Sequence, residues 1–132
     1  MVGRVWMPPA AAAVWIGLAF ATGNATAHTA RWDSKLRITD YADNASFVGR
    51  VSSKRKACRR NRLVAVWKRN PGAMDGPVDT ARTSRRGLWA VHAPGLIDVG
   101  GSYYATVKPR ARVSAGHRHV CRGARSPTFE LF

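Results

Sequence analysis

Leu63-Val-Ala-Val-Trp-Lys68 and Tyr103-Tyr-Ala-Thr-Val-Lys108 are the two runs on which the fold is read. Both are short, rich in β-branched and aromatic residues, and bounded by polar or turn-forming residues, which is the pattern of strands rather than helices. In the second run Tyr103, Ala105 and Val107 share one face, and Tyr104, Thr106 and Lys108 share the other. Tyr103 is therefore expected in a core and Tyr104 is expected to point outward. In the first run Val64 and Val66 occupy one face while Leu63, Ala65 and Trp67 occupy the other. A strand apolar on both sides is either central and covered twice or the source of an exposed patch.

The same alternation extends in both directions along the chain. Leu36 and Ile38 alternate with Arg37 and Thr39, and Phe47, Gly49 and Val51 alternate with Val48, Arg50 and Ser52. Further strands are expected over 78–83, 88–91 and 128–131. Residues 70–77 (NPGAMDGP) concentrate the Asn, Pro, Gly and Asp that turns require, and Ser84-Arg85-Arg86-Gly87 forms a second, basic turn. No long stretch has apolar residues at helical spacing. The expectation is an all-β chain of seven antiparallel strands in two packed sheets.

The N-terminus reads as an export signal. Met1 to Arg4 is a short basic start, residues 10–21 (AAAAVWIGLAFA) are apolar but too few to span a bilayer, and Ala25-Thr26-Ala27 is a small-residue cleavage site. Residues 1–27 are thus expected as a signal peptide and 28–132 as one mature β-sandwich domain, secreted or held at the cell surface. An uncleaved anchor is the alternative, and it leaves the body outside the cytoplasm as well.

In an oxidising compartment the two cysteines, Cys58 and Cys121, are expected to form a disulfide. The other reading is a reactive thiol at Cys121 beside His117 and His119. It lacks an orienting acid and leaves Cys58 as an obvious oxidation partner.

Charge is the second strong signal. The chain carries 22 Lys and Arg against 7 Asp and Glu, a formal net charge of +15. Removing the leader takes only Arg4 from that total. Such a surplus attracts polyanions: cell-wall polymers, nucleic acid or anionic lipid surfaces. It is densest at Lys54 to Arg62 (KRKACRRNR), where Lys54, Arg55, Lys56, Arg59, Arg60 and Arg62 surround Cys58. These six are the candidate polyanion-binding residues. The competing reading is compositional, because Arg outnumbers Lys by 17 to 5 and the charge then serves mainly solubility.

Gly49-x-Val51, Val64-x-Val66, Thr83-x-x-x-Gly87-x-Trp89-x-Val91 and Gly101-x-Tyr103-Tyr104-Ala105-x-Val107 together carry a family resemblance. Their order resembles the transthyretin-like, or carboxypeptidase regulatory-like, β-sandwich, an immunoglobulin-like arrangement, over Phe47 to Lys108. The basic, cysteine-containing segment before Arg62 departs from it, since such domains usually have a Gly-rich connection there. The chain also resembles small secreted bacterial proteins of this type. The resemblance implies a structural or binding accessory rather than a catalyst.

Other chemistry finds little support in the sequence. His117-x-His119 puts two imidazoles on one side of a strand, but no third ligand is fixed, so no metal site or cofactor is expected. Asp33, Asp40 and Asp43 are too loosely spaced for a calcium loop. No Gly-x-Ser-x-Gly, His-Glu-x-x-His or phosphate-cradling glycine loop occurs. The expected function is a non-enzymatic binding or structural module that meets anionic polymers through its basic loop. The alternatives are a small exported hydrolase or metal-dependent enzyme using His117 and His119, and an adaptor that engages an extracytoplasmic protein through the Leu63 and Trp67 face.

Overall fold

The computed structural model describes residues 28–42, 45–97 and 100–132. The expected leader at 1–27 and Asp43 lie outside the described residues. Among them the chain is all-β, with strands β1 (Thr29–Trp32), β2 (Lys35–Ala42), β3 (Ser46–Ser52), β4 (Leu63–Lys68), β5 (Gly76–Arg82), β6 (Leu88–His92), β7 (Ser102–Val107), β8 (Arg110–Ser114), β9 (His117–Cys121), β10 (Ala124–Arg125) and β11 (Phe129–Glu130). A single 3-10 turn, Lys56–Cys58, interrupts the basic segment. No helix among the described residues is long and apolar enough to cross a membrane.

Each of the seven runs expected to be extended forms a strand, and four more join them. The strands make three sheets. One has the order β2-β3-β6, a second β10-β7-β4-β5 with β11 also on β7, and a third β1-β9-β8. The third sheet corrects the all-antiparallel expectation, because β1 pairs parallel to β9. Its strands escaped the sequence reading because most of their residues are solvent-exposed or only half-buried.

The first two sheets share one core. Leu36, Phe47, Val51, Trp89 and Val91 from the first meet Val64, Val66, Val78, Tyr103, Ala105 and Val107 from the second. The ring of Phe47 lies 4.9 Å from that of Tyr103 and 5.2 Å from that of Tyr41. The alternation that marked these strands is thus the alternation of buried and solvent-facing positions. Gly49 lies opposite Trp89 in the ladder, and a Cβ there would come within 2.3 Å of the indole. The bare backbone at Gly49 is what lets the Trp89 ring lie flat in the core.

Strand β4 is central, between β7 and β5, yet only its Val64 and Val66 face enters the core. On the other face Leu63 stays 41% exposed, while the Trp67 indole N–H donates to the Thr106 hydroxyl at 2.9 Å. Of the two possibilities left open for this strand, the structure has the partly exposed face.

Candidate polyanion-binding site

The basic segment 53–62 is a folded loop fixed at four points. Cys58 is disulfide-bonded to Cys121 at the end of β9. The buried Thr83 hydroxyl donates to the Arg59 carbonyl at 2.6 Å and accepts from the Arg62 amide at 2.8 Å. The Thr83 backbone adds two bonds, accepting from the Asn61 amide and donating to the Arg62 carbonyl. The Arg59 Nε–H donates to the Ser53 carbonyl at 2.7 Å.

The fourth point is Arg62, and it corrects the sequence reading. Expected among the polyanion contacts, Arg62 is only 1% exposed. Its guanidinium donates to the carbonyls of Cys58 (2.8 Å), Lys108 (2.9 Å) and Arg122 (3.1 Å) and to the Ser34 hydroxyl (3.1 Å). Burial, and then Arg110 nearby, push its pKa down. A buried cation is tolerated here because carbonyl dipoles replace the water it loses. Arg62 therefore builds the site without touching a ligand.

Four of the five remaining cations of the segment divide between two grooves, which recruit arginines from elsewhere. One groove, of about 810 Å³, is lined by Lys56, Arg59 and Arg60 together with Arg50, Arg85 and Arg86 and by Val51 and Ser52. A second, of about 560 Å³, is lined by Arg55, Arg60, Arg82, Arg110, Arg112 and His119. Arg60 belongs to both. No carboxylate lines either groove among the described residues. Lys54 lines a further recess with Trp32, Asp33, Lys35 and Arg59.

Arg85 and Arg86 reach the first groove because of the turn that carries them. The Val51 amide donates to the Gly87 carbonyl at 2.8 Å, which lays residues 84–87 against the end of β3. Gly87 has φ +82°, and a Cβ there would lie 2.1 Å from the Val51 carbonyl oxygen. Only glycine meets both demands.

In the second groove the arginines are held by backbone carbonyls instead of counter-ions. Arg110 donates to the carbonyls of Asn61 and Ala57, and Arg82 donates to the same Asn61 carbonyl. Burial first, then Arg112, Arg60 and Arg82, push the Arg110 pKa down. At the groove's edge the Arg55 guanidinium lies 4.2 Å above the Trp32 ring, a cation–π contact, and donates to His119 Nδ1 at 3.2 Å. Since Arg55 only donates, His119 Nδ1 is the acceptor and the ring proton sits on Nε2. Burial, Arg55 and His117 together lower the His119 pKa.

Tyr104 lies on the outward face expected of it. It points away from the core, as the alternation requires, but is covered rather than offered to a ligand. Its hydroxyl donates to the Asp75 carboxylate at 2.6 Å, and the Arg125 guanidinium stacks 3.8 Å from its ring centroid.

The segment's density found part of this site. Arg50, Arg82, Arg85, Arg86, Arg110 and Arg112 were not singled out, because their convergence depends on which strands become neighbours. The one available signal was the Arg85-Arg86 pair inside a turn. No family model matches the chain, and no curated protein aligns with it significantly.

Proposed function

We propose that this protein is a non-enzymatic, extracytoplasmic binding module whose two joined arginine grooves hold a linear polyanion. The observation that carries the reading is the pair of grooves sharing Arg60, with many guanidiniums and, among the described residues, no lining carboxylate. Positive groups gathered without counter-ions repel one another, so an anion that enters relieves a cost already present in the free protein. Planar guanidiniums suit phosphate or carboxylate oxygens through paired donors, and Lys56 adds a point charge.

The disulfide and the small size fit an exported domain. We read residues 1–27 as its cleaved signal peptide and the two core-sharing sheets as a β-sandwich of transthyretin-like type, with the β1-β9-β8 sheet appended.

The test is binding of oxidised 28–132 to cell-wall polymer, single-stranded nucleic acid and anionic vesicles over a salt series. A variant with Lys56, Arg60, Arg85 and Arg86 all changed to Gln is measured alongside. Each phosphate contact contributes a slope of roughly 0.7–0.9 to the dependence of log affinity on log salt, so the variant should lose about 3 from that slope. An unchanged slope in the variant would sink the proposal and reduce the charge to composition.

A further inference from the structure

We propose that the mature chain binds Cu(II) at its own N-terminus, through the α-amine and imidazole of His28 together with the imidazole of His117. This rests on the export reading, because only cleavage after Ala27 gives His28 a free amine. Before cleavage that nitrogen is a protonated amide whose lone pair is delocalised into a carbonyl.

The parallel strand pair brings the two histidines together. Thr29 of β1 lies opposite Arg118 of β9, and the Arg118 amide donates to the His28 carbonyl at 3.1 Å. One residue back along both strands, His28 stands beside His117, and neighbours in such a pair project to the same face. The two rings have centroids 6.1 Å apart and planes inclined by only 21°. Metal–imidazole nitrogen bonds are about 2 Å, so two imidazoles on opposite sides of one ion have centroids roughly 6 Å apart. The rings are stacked, and at 6.1 Å both lie within reach of one ion once each turns a nitrogen toward it.

Among the described residues no three His, Cys, Asp or Glu side chains are grouped for a metal. The third donor here is instead the backbone amine, which closes a small chelate ring with the imidazole of the same residue. His119, although 6.5 Å from His117 by ring centroids, is occupied at Nδ1 by Arg55. The set is therefore three nitrogens with neither thiolate nor carboxylate. A set of nitrogen donors favours Cu(II), which binds such donors most tightly among the divalent first-row ions. Both cysteines are in the disulfide, so no thiolate competes for the ion.

The experiment compares two oxidised proteins that both begin at His28, one with its α-amine free and one with that amine acetylated, by calorimetric Cu(II) titration and electron paramagnetic resonance. The protein with the free amine should bind one Cu(II) with a nitrogen-coupled spectrum. Because chelation makes each further donor intramolecular, acetylation of the His28 amine and His117→Ala should each weaken binding about a hundredfold or more. His92→Ala should leave it unchanged. Equal affinity in the acetylated protein, or none lost in His117→Ala, overturns the site.

N-terminal sequencing of the exported protein separates the two inferences. If His28 is first and copper does not bind, the site fails while the export reading stands. If another residue is first, the export reading fails at its cleavage position and the site does not form in the exported protein, whatever the engineered chain binds.

Discussion

The Arg62 guanidinium donates to the carbonyl of Cys58, four residues earlier, at 2.8 Å, and so closes the basic loop from inside. The same group holds the carbonyls of Lys108 and Arg122, which flank β8 and β9. One side chain thereby joins the loop to the outer sheet alongside the disulfide. Arg62→Ala should cost about 3 kcal/mol, since it leaves several buried acceptors unpaired. Arg62→Lys should recover only part of that, because an ammonium cannot reproduce the planar spread of donors. Urea melts of both variants check the order. Wild-type stability in Arg62→Lys would mean that charge alone, and not the fork of donors, holds the loop.

Reduction of Cys58–Cys121 acts on the same loop through the unfolded chain. The bridge spans 63 residues in sequence, a closure worth about 4 kcal/mol in the chain-entropy account. Cys58→Ala/Cys121→Ala should melt well below the wild type. It should also lose polyanion affinity before it loses the core, because the two core-sharing sheets do not depend on the bridge for their pairing. Binding retained in full by a folded double variant would show that the grooves do not need the fixed loop.

Gly87→Ala confronts a positive φ and a close carbonyl together. Left-handed backbone in a non-glycine residue costs on the order of 1–3 kcal/mol, and relief of the contact with Val51 must move the turn. The variant should lose about 2 kcal/mol or more, and its affinity for anionic polymer should fall as Arg85 and Arg86 shift away from Arg50. A thermal melt and a salt-series binding curve read the two effects separately.

The pair Tyr104–Asp75 gives the fold a pH signature. The Tyr104 hydroxyl, then the Asn70 amide, hold the Asp75 carboxyl below its ordinary range. The hydrogen bond to Asp75, with burial added, pushes Tyr104 above its own. A lowered carboxylate contributes stability above its unfolded pKa and loses it as pH falls through the folded value. A raised tyrosine contributes below its unfolded pKa and loses it as pH climbs through the folded value. Stability should therefore sag at both extremes, below about 4 and above about 10. Tyr104→Phe should lower the midpoint at neutral pH and flatten both shoulders. If the acid shoulder keeps its full depth, a different carboxylate is responsible.

These features differ in how far the sequence foretold them. Strands β2 to β7 were legible because each has one face in the core, so burial imprints a period of two on the residue types. Strand β8, Arg-Ala-Arg-Val-Ser, has four of its five residues exposed and exists through its pairing with β9, which leaves no such imprint. Arg62 reads as one more cation among six, and the carbonyls that solvate it come from segments 46 and 60 residues away as well as from its own loop. Tyr104 was assigned its proper side of β7. Its cover comes from Asp75 in a distant turn and Arg125 on β10, which alternation does not address.

The crowding of like charge around Arg60 supplies a prediction that separates function from composition. Arg60 and Arg112 are exposed, and both depress the pKa of Arg110. Changing the two to Gln removes repulsion from the free protein, so at low salt the variant should be more stable by about 0.5 kcal/mol, the scale of exposed charge pairs. That gain should vanish near 1 M salt, where screening acts within about 3 Å. Tripolyphosphate should raise the melting temperature of the wild type, because a ligand that binds only the folded form stabilises it by mass action. The double variant should show a smaller rise. A charge surplus serving only solubility would give the opposite pattern, with no gain from the substitutions and an equal response to tripolyphosphate in both proteins. Differential scanning fluorimetry at two salt concentrations, with and without tripolyphosphate, distinguishes them.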